Sequence, residues 1–512
     1  MNRLAAIALA LCLLSGCASI DFDYPRTASS AIVDTQDTPL GQSLAEFDGI
    51  KSDDESGFYP LSDGIDALGV RLLLASTAQK SIDLQYYLIK TDTSSRALIY
   101  SLLEAADRGV RVRLLLDDVF TKGYDFGLAG LDSHPNIEIR IFNPFYRGFA
   151  GKLRSGLTNF SRVNRRMHNK SFTVDNQMTI VGGRNIADEY FGAREDAKFS
   201  DLDVLGVGPV VQDVSTMFDT YWNHETALPV PAFASMPDDP AAELNRIRDG
   251  MDDWRAEVTR TVYGEALRQD IEKFMATDNS VFDWAPYELV YDSPDKGIKK
   301  RSEEADSIRT SLAESLASAT KQVVIISPYF VPRKTFTESL VQLKKSGVDV
   351  TIITNSLAAN NQFTVHSGYR PSRKPLLKAG VKIYEVRPDA DVAGAELVAA
   401  SGAKATLHTK AFLVDDREVF IGSFNFDPRS AYINTESGVI IRSEQLAAQF
   451  ERAVRESIPY QSYELFLNED DKLRWRDPRP GVDKIWDKEP ETTWGQRFAV
   501  GFVALFPIRG QL

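Results

Sequence analysis

Two stretches of this chain carry the same chemistry-bearing residues at the same spacing. The first reads His168-Asn-Lys170-Ser-Phe-Thr-Val-Asp175 and continues to Gly182-Gly183-Arg184-Asn185. The second reads His408-Thr-Lys410-Ala-Phe-Leu-Val-Asp415 and continues to Gly422-Ser423-Phe424-Asn425. In both, His to Lys is two residues, Lys to Asp five, Asp to Gly seven and Gly to Asn three. Ordinary composition would produce these five types at that spacing from a given start roughly once in ten million, so two copies are a duplication. Side chains two apart in an extended segment share a face, which aims His168 with Lys170 and His408 with Lys410. Asp175 and Asp415 stand where the apolar run breaks into a hairpin turn, and Asn185 and Asn425 return on the partner strand. Each copy therefore offers an imidazole, an ammonium and an amide to one spot. Neither copy holds both a nucleophile and an acid, so two facing copies must share the chemistry.

The elements that position these groups are duplicated too. A helical stretch from Ile65 to Ala78 leads into the apolar strand Ser81–Ile89, and a helix around Arg96 to Arg108 leads into Gly109–Asp118. The later copy runs helix Ala305–Ala319, strand Gln322–Phe330, helix Phe336–Lys345 and strand Gly347–Ser356. Strand, helix, Gly and strand in that order imply parallel crossovers. The fold class expected is α/β, as two similar α/β sandwich domains related by a pseudo-twofold with the active site at their interface. The expected boundaries are an N-terminal domain over 51–224, a connector over 225–300 with a charged helical pattern from Ala241 to Val258, a C-terminal domain over 301–460 and a tail over 461–512.

The chain is 43% hydrophobic and 26% charged, a balance that excludes a long disordered or collagen-like protein. With 59 basic against 72 acidic residues, its net charge of −13 argues against a general nucleic-acid binder. Both cysteines, Cys12 and Cys17, precede the body, which excludes disulfides, thiolate zinc sites and cysteine nucleophiles there. Arg3 and the apolar run Leu4–Leu14, too short for the roughly 20 residues that span a bilayer, read as a signal peptide over 1–16. Leu14-Ser15-Gly16-Cys17 resembles the bacterial lipobox, which implies lipidation of Cys17. Residues 17–50, rich in Ser, Thr, Asp and Pro, then read as a tether. Ala18 in place of an aspartate favours a lipoprotein on the periplasmic face of the outer membrane.

The duplicated His-x-Lys-x4-Asp pattern, with its Gly-Gly/Ser-x-Asn continuation, is identified as that of the phospholipase D superfamily. Gln85-Tyr86-Tyr87, the run Asn164–Lys170, Asp427-Pro428-Arg429-Ser430 and Lys488-Glu489-Pro490 resemble its cardiolipin-synthase-like branch. A phosphodiester needs a nucleophile at phosphorus, a proton for the leaving alkoxide, and cations or donors around the equatorial oxygens. The resemblance implies transfer of a phosphatidyl group through a phosphohistidine to an alcohol, giving cardiolipin from phosphatidylglycerol plus a second phospholipid, phosphatidylethanolamine being one candidate. Hydrolysis to phosphatidic acid and a periplasmic nuclease are the alternatives. The family order makes His168 the nucleophile and His408 the general acid and later base, and the symmetry leaves the reverse order open. Asp201 and Glu436 resemble the carboxylates that fix the two tautomers, with Asp203 competing for the first place. Arg165, Arg166, His366 and Arg429 are expected to bind substrate. No metal or cofactor is required, and His134, His224 and His366 form no ligand pair; His134 reads as a solvated loop residue.

A phospholipid membrane is the expected partner, and nucleic acid is not. From Arg140 to Lys170 there are eight basic residues and no acidic one, with Phe142, Phe145, Tyr146, Phe149 and Phe160 interleaved. Such a stretch suits an anionic lipid surface, or equally a nucleic-acid backbone. Trp494, Phe498, Phe502 and Leu505 follow helical spacing and run on to Phe506 and Ile508, an apolar end that lies in a membrane interface or packs on the core.

Overall fold

Apolar runs with Val, Ile and Leu on both faces become strands buried on both faces, and the helices between them cover the sheet. The computed structural model describes residues 20–45, 54–147, 160–194, 197–275, 281–298, 307–360, 362–390 and 404–504. Outside them lie the signal peptide and Cys17, Phe149, Lys152 and Arg154 of the basic stretch, and Leu505, Phe506 and Ile508. The first half contains β1 (Glu55–Leu61), β2 (Ser81–Tyr86), β3 (Arg111–Asp117), β4 (Ile137–Phe142), β5 (Ser171–Val174), β6 (Met178–Gly182), β7 (Ala197–Ser200), β8 (Asp203–Val207) and β9 (Ala227–Pro229). Its helices are α1 (Gly64–Thr77), α2 (Thr93–Asp107), α3 (Asp125–Asp132) and α4 (Pro209–Trp222). The Asp63 carboxylate caps α1 and the Asp92 carboxylate caps α2, each accepting backbone N–H groups of the first turn. The sheet order is β9-β4-β3-β2-β5-β6-β8-β1; β2, β3 and β4 are parallel and the other neighbours antiparallel.

The chain continues through α5 (Pro240–Val258) and α6 (Val262–Met275) into the second half. There β10 (Asp283–Tyr291), β11 (Gln322–Ile326), β12 (Asp349–Asn355), β13 (Lys382–Val386), β14 (Lys404–Leu407), β15 (Ala411–Val414), β16 (Glu418–Gly422) and β17 (Ser437–Ile441) repeat the plan. Helices α7 (Ile308–Ala317), α8 (Arg333–Lys345), α9 (Phe363–Lys378) and α10 (Glu444–Gln461) accompany them, and β18 (Ser462–Leu467), β19 (Leu473–Arg476) and α11 (Trp494–Val503) close the chain. The order β18-β13-β12-β11-β15-β16-β17-β10 repeats that of the first half strand for strand. Its end strand β10 pairs antiparallel with β1, Glu55 opposite Pro286 and Phe58 opposite Asp283, so one sheet crosses the seam. The stretch expected to be a connector thus contributes a sheet strand, while α5 packs on α3 and α6 on α1. One apolar cluster draws Phe58, Val181 and Val204 from one half and Ile326, Leu413 and Val439 from the other.

The tether expected over 17–50 is instead a strap in its described part. Its backbone meets side chains of the first half: Ala31 N donates to Asp219 at 2.8 Å, and the guanidiniums of Arg113 and Arg140 donate to the carbonyls of Ser29 (3.0 Å) and Thr27 (2.5 Å). Asp21 N donates to Ala232 O at 2.8 Å. A segment bonded residue by residue to fixed side chains needs no periodicity, which is why the sequence shows none.

Asp175 and Asp415, expected among the catalytic residues, stand elsewhere. About 16 Å of extended chain separates each from its lysine, at 3.3 Å per residue. The Asp175 carboxylate accepts the backbone N–H groups of Gln79 (3.0 Å), Lys80 (2.7 Å) and Ser81 (2.9 Å), at the start of β2. Asp415 accepts those of Thr320 (3.1 Å), Lys321 (2.8 Å) and Gln322 (3.1 Å), at the start of β11. Both sit in hairpin turns at φ 48° and 53°, a region aspartate tolerates better than most residues. They lock the hairpin behind each motif to the central parallel strand. Asp175→Ala should therefore lower stability by roughly 3 kcal/mol through the loss of three hydrogen bonds to one carboxylate, that of Ser81 fully buried. Urea unfolding would measure that loss, and turnover per folded molecule should stay within a few-fold of the parent.

Candidate active site

The two motifs meet through a crossed backbone pairing. β7 runs parallel to β14 from the other half, Ser200 opposite Leu407, and the N–H groups of His408 and Thr409 both donate to Ser200 O at 2.7 and 2.9 Å. The mirror contact is the parallel bridge between Met167 and Thr435: His168 N donates to Thr435 O and Thr435 N to Arg166 O, both at 2.9 Å. The next residues after Ser200 and Thr435 are Asp201 and Glu436. Each acid therefore faces the histidine of the opposite half, His408 Nδ1 lying 2.5 Å from Asp201 Oδ2 and His168 Nδ1 2.8 Å from Glu436 Oε2. Asp203, the competitor for the first place, is held by Arg71 at 2.7 Å and Arg184 at 3.4 Å instead.

A carboxylate on Nδ1 fixes the proton there and leaves Nε2 as the reactive position, which in His408 has Lys410 Nζ at 3.2 Å. Lys170 and Lys410 donate from Nζ to the carbonyls of their own histidines, and Lys410 Nζ also lies 3.9 Å from Asp201. Aromatic rings complete the walls. Tyr87 stands edge-on to His168 with centroids 4.9 Å apart and 5.6 Å under Lys170, while Phe199 stacks on His408 at 5.5 Å. Tyr190 stands edge-on to His408, its hydroxyl 3.5 Å from Nε2, and receives the Asn185 amide N–H at 2.9 Å. Asn185 and Asn425 each keep a buried amide oxygen without a partner among the described residues.

Burial governs the charges. It pushes His168 down to about 4 against the pull of Glu436, and His408 down to about 3, where the Lys410 ammonium adds to the effect. Burial likewise brings Lys170 to about 7 and Lys410 to about 8, the first opposed chiefly by Glu436 and the second by Asp201. For Asp201 burial acts upward, but the charges of Lys410 and His408 outweigh it and hold the acid at about 2. Glu436 is lowered in the same way, burial opposing and His168 and Lys170 prevailing. The halves differ in how they seat the acid. A Cβ on Gly183 would lie 2.2 Å from Asp201 Oδ1, so only glycine fits there. At the matching place Ser423 donates to Glu436 Oε2 at 2.5 Å, and Ser430 donates to Oε1 at 2.7 Å.

The residues expected to bind substrate are structural in this state. Arg166 is 1% exposed, 3.3 Å from Asp117 and stacked over Phe145. Arg165 donates to Lys296 O at 2.8 Å, and Arg429 donates to Asn164 O at 2.6 Å, tying the halves together. His366 is fully buried, with Nε2 2.6 Å from the Arg373 guanidinium and 3.4 Å from Glu489. The basic stretch turns inward as well: Arg147 pairs with Asp118 and Asp125 at 2.6 and 2.7 Å, and Arg140 with Glu138 at 2.6 Å. Its lack of acids concealed that the partners lie outside it, Glu138 two residues earlier on β4 and Asp118 and Asp125 after β3 and on α3. His134 is buried, 3.1 Å from Asp107, and not solvated. Among the described residues the grouping of three carboxylates close enough to share a cation, Asp63, Asp66 and Asp270, includes neither histidine nor its acid. Sequence reasoning passed over Tyr190, Phe199, Ser423 and Ser430 as site residues; Tyr190 and Phe199 lie in no motif, so nothing in the sequence pointed to them.

A family model described as "Cardiolipin synthase, PLD-like domain" matches residues 73–222 and 312–458. Cardiolipin synthase C of Escherichia coli is 39% identical over 465 residues, spanning 89% of this chain and 96% of that protein. An uncharacterized protein of Helicobacter pylori is 31% identical over 515 residues, 99% of each chain. Among solved structures, a phosphatidylserine synthase of Haemophilus influenzae superposes over 92% of this chain and 100% of that one with a TM-score of 0.59; at 13% identity this is a likeness of fold.

The empty site holds its lysines near neutrality, so an entering anion should restore their protons. At pH 8 a small phosphodiester with no titration of its own should bind with uptake of about one proton, because it raises both lysines above their empty values of about 7 and 8. Affinity should fall as pH rises beyond 8. Calorimetry in buffers of different ionisation heat measures the uptake, and binding without it would contradict these values.

Proposed function

Because the chain belongs to the phospholipase D superfamily, in its cardiolipin-synthase-like branch, it is a phospholipase D-type phosphatidyltransferase, and we propose that it makes cardiolipin from phosphatidylglycerol and a second phospholipid. The observation that carries this reading is the crossed pair of histidine–carboxylate contacts beside two buried lysines. His168 Nε2 attacks phosphorus, the bond to the leaving glycerol oxygen breaks, and that oxygen takes the proton of His408 Nε2. The neutral His408 then accepts the proton of the incoming hydroxyl, whose oxygen attacks phosphorus and releases His168. Lys170, Lys410 and the amides of Asn185 and Asn425 surround the equatorial oxygens. His168 suits the nucleophilic role because its Nε2 meets no hydrogen-bond partner among the described residues, whereas that of His408 faces the Tyr190 hydroxyl. The negative diester supplies the countercharge that lets His408 hold a proton despite its burial.

Membrane contact belongs to the same proposal, as do the lipid anchor at Cys17 and the outer-membrane address. None of the described helices is long and apolar enough to cross a bilayer. Yet α11 presents Trp494, Phe498 and Phe502 on successive turns, 72%, 58% and 52% exposed and stacked on one another. It packs on α9, whose exposed Arg370, Lys374 and Lys378 repeat every fourth residue. Lys378 pairs with Asp471 and Arg370 lies 3.5 Å from Glu489, so the aromatic stripe supplies the main contact with a bilayer interface and Lys374 the nearby positive charge. Replacing Trp494, Phe498 and Phe502 together by Ala should weaken binding to phosphatidylglycerol vesicles by roughly tenfold or more, since each tenfold step needs only about 1.4 kcal/mol. Vesicle sedimentation reads the change.

Proximity favours transfer over hydrolysis, being worth about 7–11 kcal/mol over a bimolecular encounter when the acceptor hydroxyl is already in line. Purified protein in vesicles containing phosphatidylglycerol should yield cardiolipin by lipid mass spectrometry, with no product from His168→Ala. Accumulation of phosphatidic acid alone would replace the transferase by a hydrolase. Cleavage of single-stranded DNA without action on any vesicle would replace the lipid substrate.

A further inference from the structure

An apolar cavity of about 370 Å³ opens between α2, α3, β3 and α5. Its walls include Ile99, Leu114, Leu116, Leu128, Ile247 and Met251, and the exposed Arg96 and Arg246 also line it. It lies beside the catalytic centre. Ile89 and Lys90 line it, and Ile89 bridges Ile186, the residue after Asn185, while Tyr87 two positions earlier stands against His168. On the other side Thr121 lines the cavity, and the neighbouring Phe120 packs edge-on against Tyr87 with centroids 5.6 Å apart. The segments that follow β2 and β3 thus wall both spaces at once.

Two further features indicate that the space is built and not left over. Gly127 on α3 and Gly250 on α5 both line it, and a Cβ on either would meet nothing within 4 Å. Glycine is a poor helix former, so two of them on packed helices, each with room for a side chain, keep a volume open at a cost in helix propensity. The roof is also specific to this half. After β9 the chain adds α5 and α6, whereas after β18, its counterpart in the other half, it makes β19.

We propose that this cavity holds one acyl chain of the phospholipid whose phosphodiester lies at His168 and His408. The walls are apolar, as an acyl chain requires, while the exposed Arg96 and the Glu243-paired Arg246 at the solvent side leave a polar rim toward a bilayer surface. The exposed rings of Phe120, Tyr124 and Phe126 surround the same region and suit contact with lipid. A volume near the lower end of ligand pockets, which run about 300–1,000 Å³, suits a single chain. This inference rests on the lipid-transfer reading for its headgroup, and the test separates the two.

The probe is phosphatidylglycerol carrying a diazirine within one acyl chain, presented in vesicles to His168→Ala protein so that no turnover is needed. Photolysis should label the peptide spanning Ile247 to Met251 or that spanning Gly127 to Leu131, and labelling confined to other segments overturns the proposal. Gly250→Phe fills the space from a helix position with open room, and the same change at Gly127 repeats the test from the opposite wall. Either should abolish that labelling and, in otherwise unaltered enzyme, lower the ratio of long-chain to dibutanoyl phosphatidylglycerol turnover by roughly tenfold or more, the scale on which apolar pockets discriminate. Using a ratio removes any general loss of folded enzyme. An unchanged ratio with unchanged labelling makes the cavity a packing void and ends the proposal. Labelling at Ile247–Met251 that Gly250→Phe abolishes, in a protein that turns over no lipid, upholds the acyl site and overturns the transferase reading.

Discussion

Two histidines and two lysines lie buried at one seam, and four groups that become cations by gaining a proton cannot all be charged there without partners. Removing an ion from water costs several kcal/mol even after relaxation, and only close countercharges offset it. Asp201 and Glu436 supply them, each reaching across to the other half. Everything else in the seam keeps those two acids in place. The short parallel pairing of β7 with β14 and the bridge from Met167 to Thr435 set their register, and the antiparallel join of β1 to β10 fixes the halves as one body. Arg429, bound to Asn164, and Arg165, bound to Lys296 O, close the same seam from outside the cleft.

What the sequence disclosed and what it hid divide along a physical line. The motifs, the parallel strands and their helices were legible because each is local: Ser81–Tyr86, Arg111–Asp117, Gln322–Ile326 and Asp349–Asn355 are apolar runs flanked by periodic helices. The acids Asp201 and Glu436 were legible by their matching places after the motifs. That they cross was not, since β7 and β14 are four residues each and pair only with one another. Charge patterning misled for a related reason. Arg140, Arg147 and Arg166 read as a basic face, but Glu138, Asp118 and Asp117 take them inward, and most of those acids lie in other elements. His366 was expected to bind substrate, yet α9 turns it into a fully buried network with Arg373 and Glu489.

The duplication matters because it permits asymmetry. A symmetric dimer of one motif would give two identical histidines, and nothing would separate nucleophile from acid. Within one chain the halves have drifted apart around a constant frame. Gly183 leaves room for the shorter Asp201, whereas Ser423 and Ser430 grip both oxygens of the longer Glu436. Tyr190 and Phe199 enclose His408, whereas Tyr87 alone stands against His168 among the described aromatic contacts. Burial and the Lys410 ammonium together hold His408 at about 3, below His168 at about 4. These are the means by which two copies of one motif acquire different basicities.

The same electrostatics selects the substrate. With the cleft empty, burial holds His168, His408 and both lysines below their ordinary values. A neutral ester entering the cleft would leave that balance unchanged and find no imidazolium to give it a proton. A phosphodiester brings one negative charge into this low-dielectric space, and His408 and the two lysines then gain from holding their protons. The catalytic protonation state is therefore assembled by the substrate itself. An anion in the cleft would add protons to the positive charge that Lys410 and part of Lys170 already hold near neutral pH.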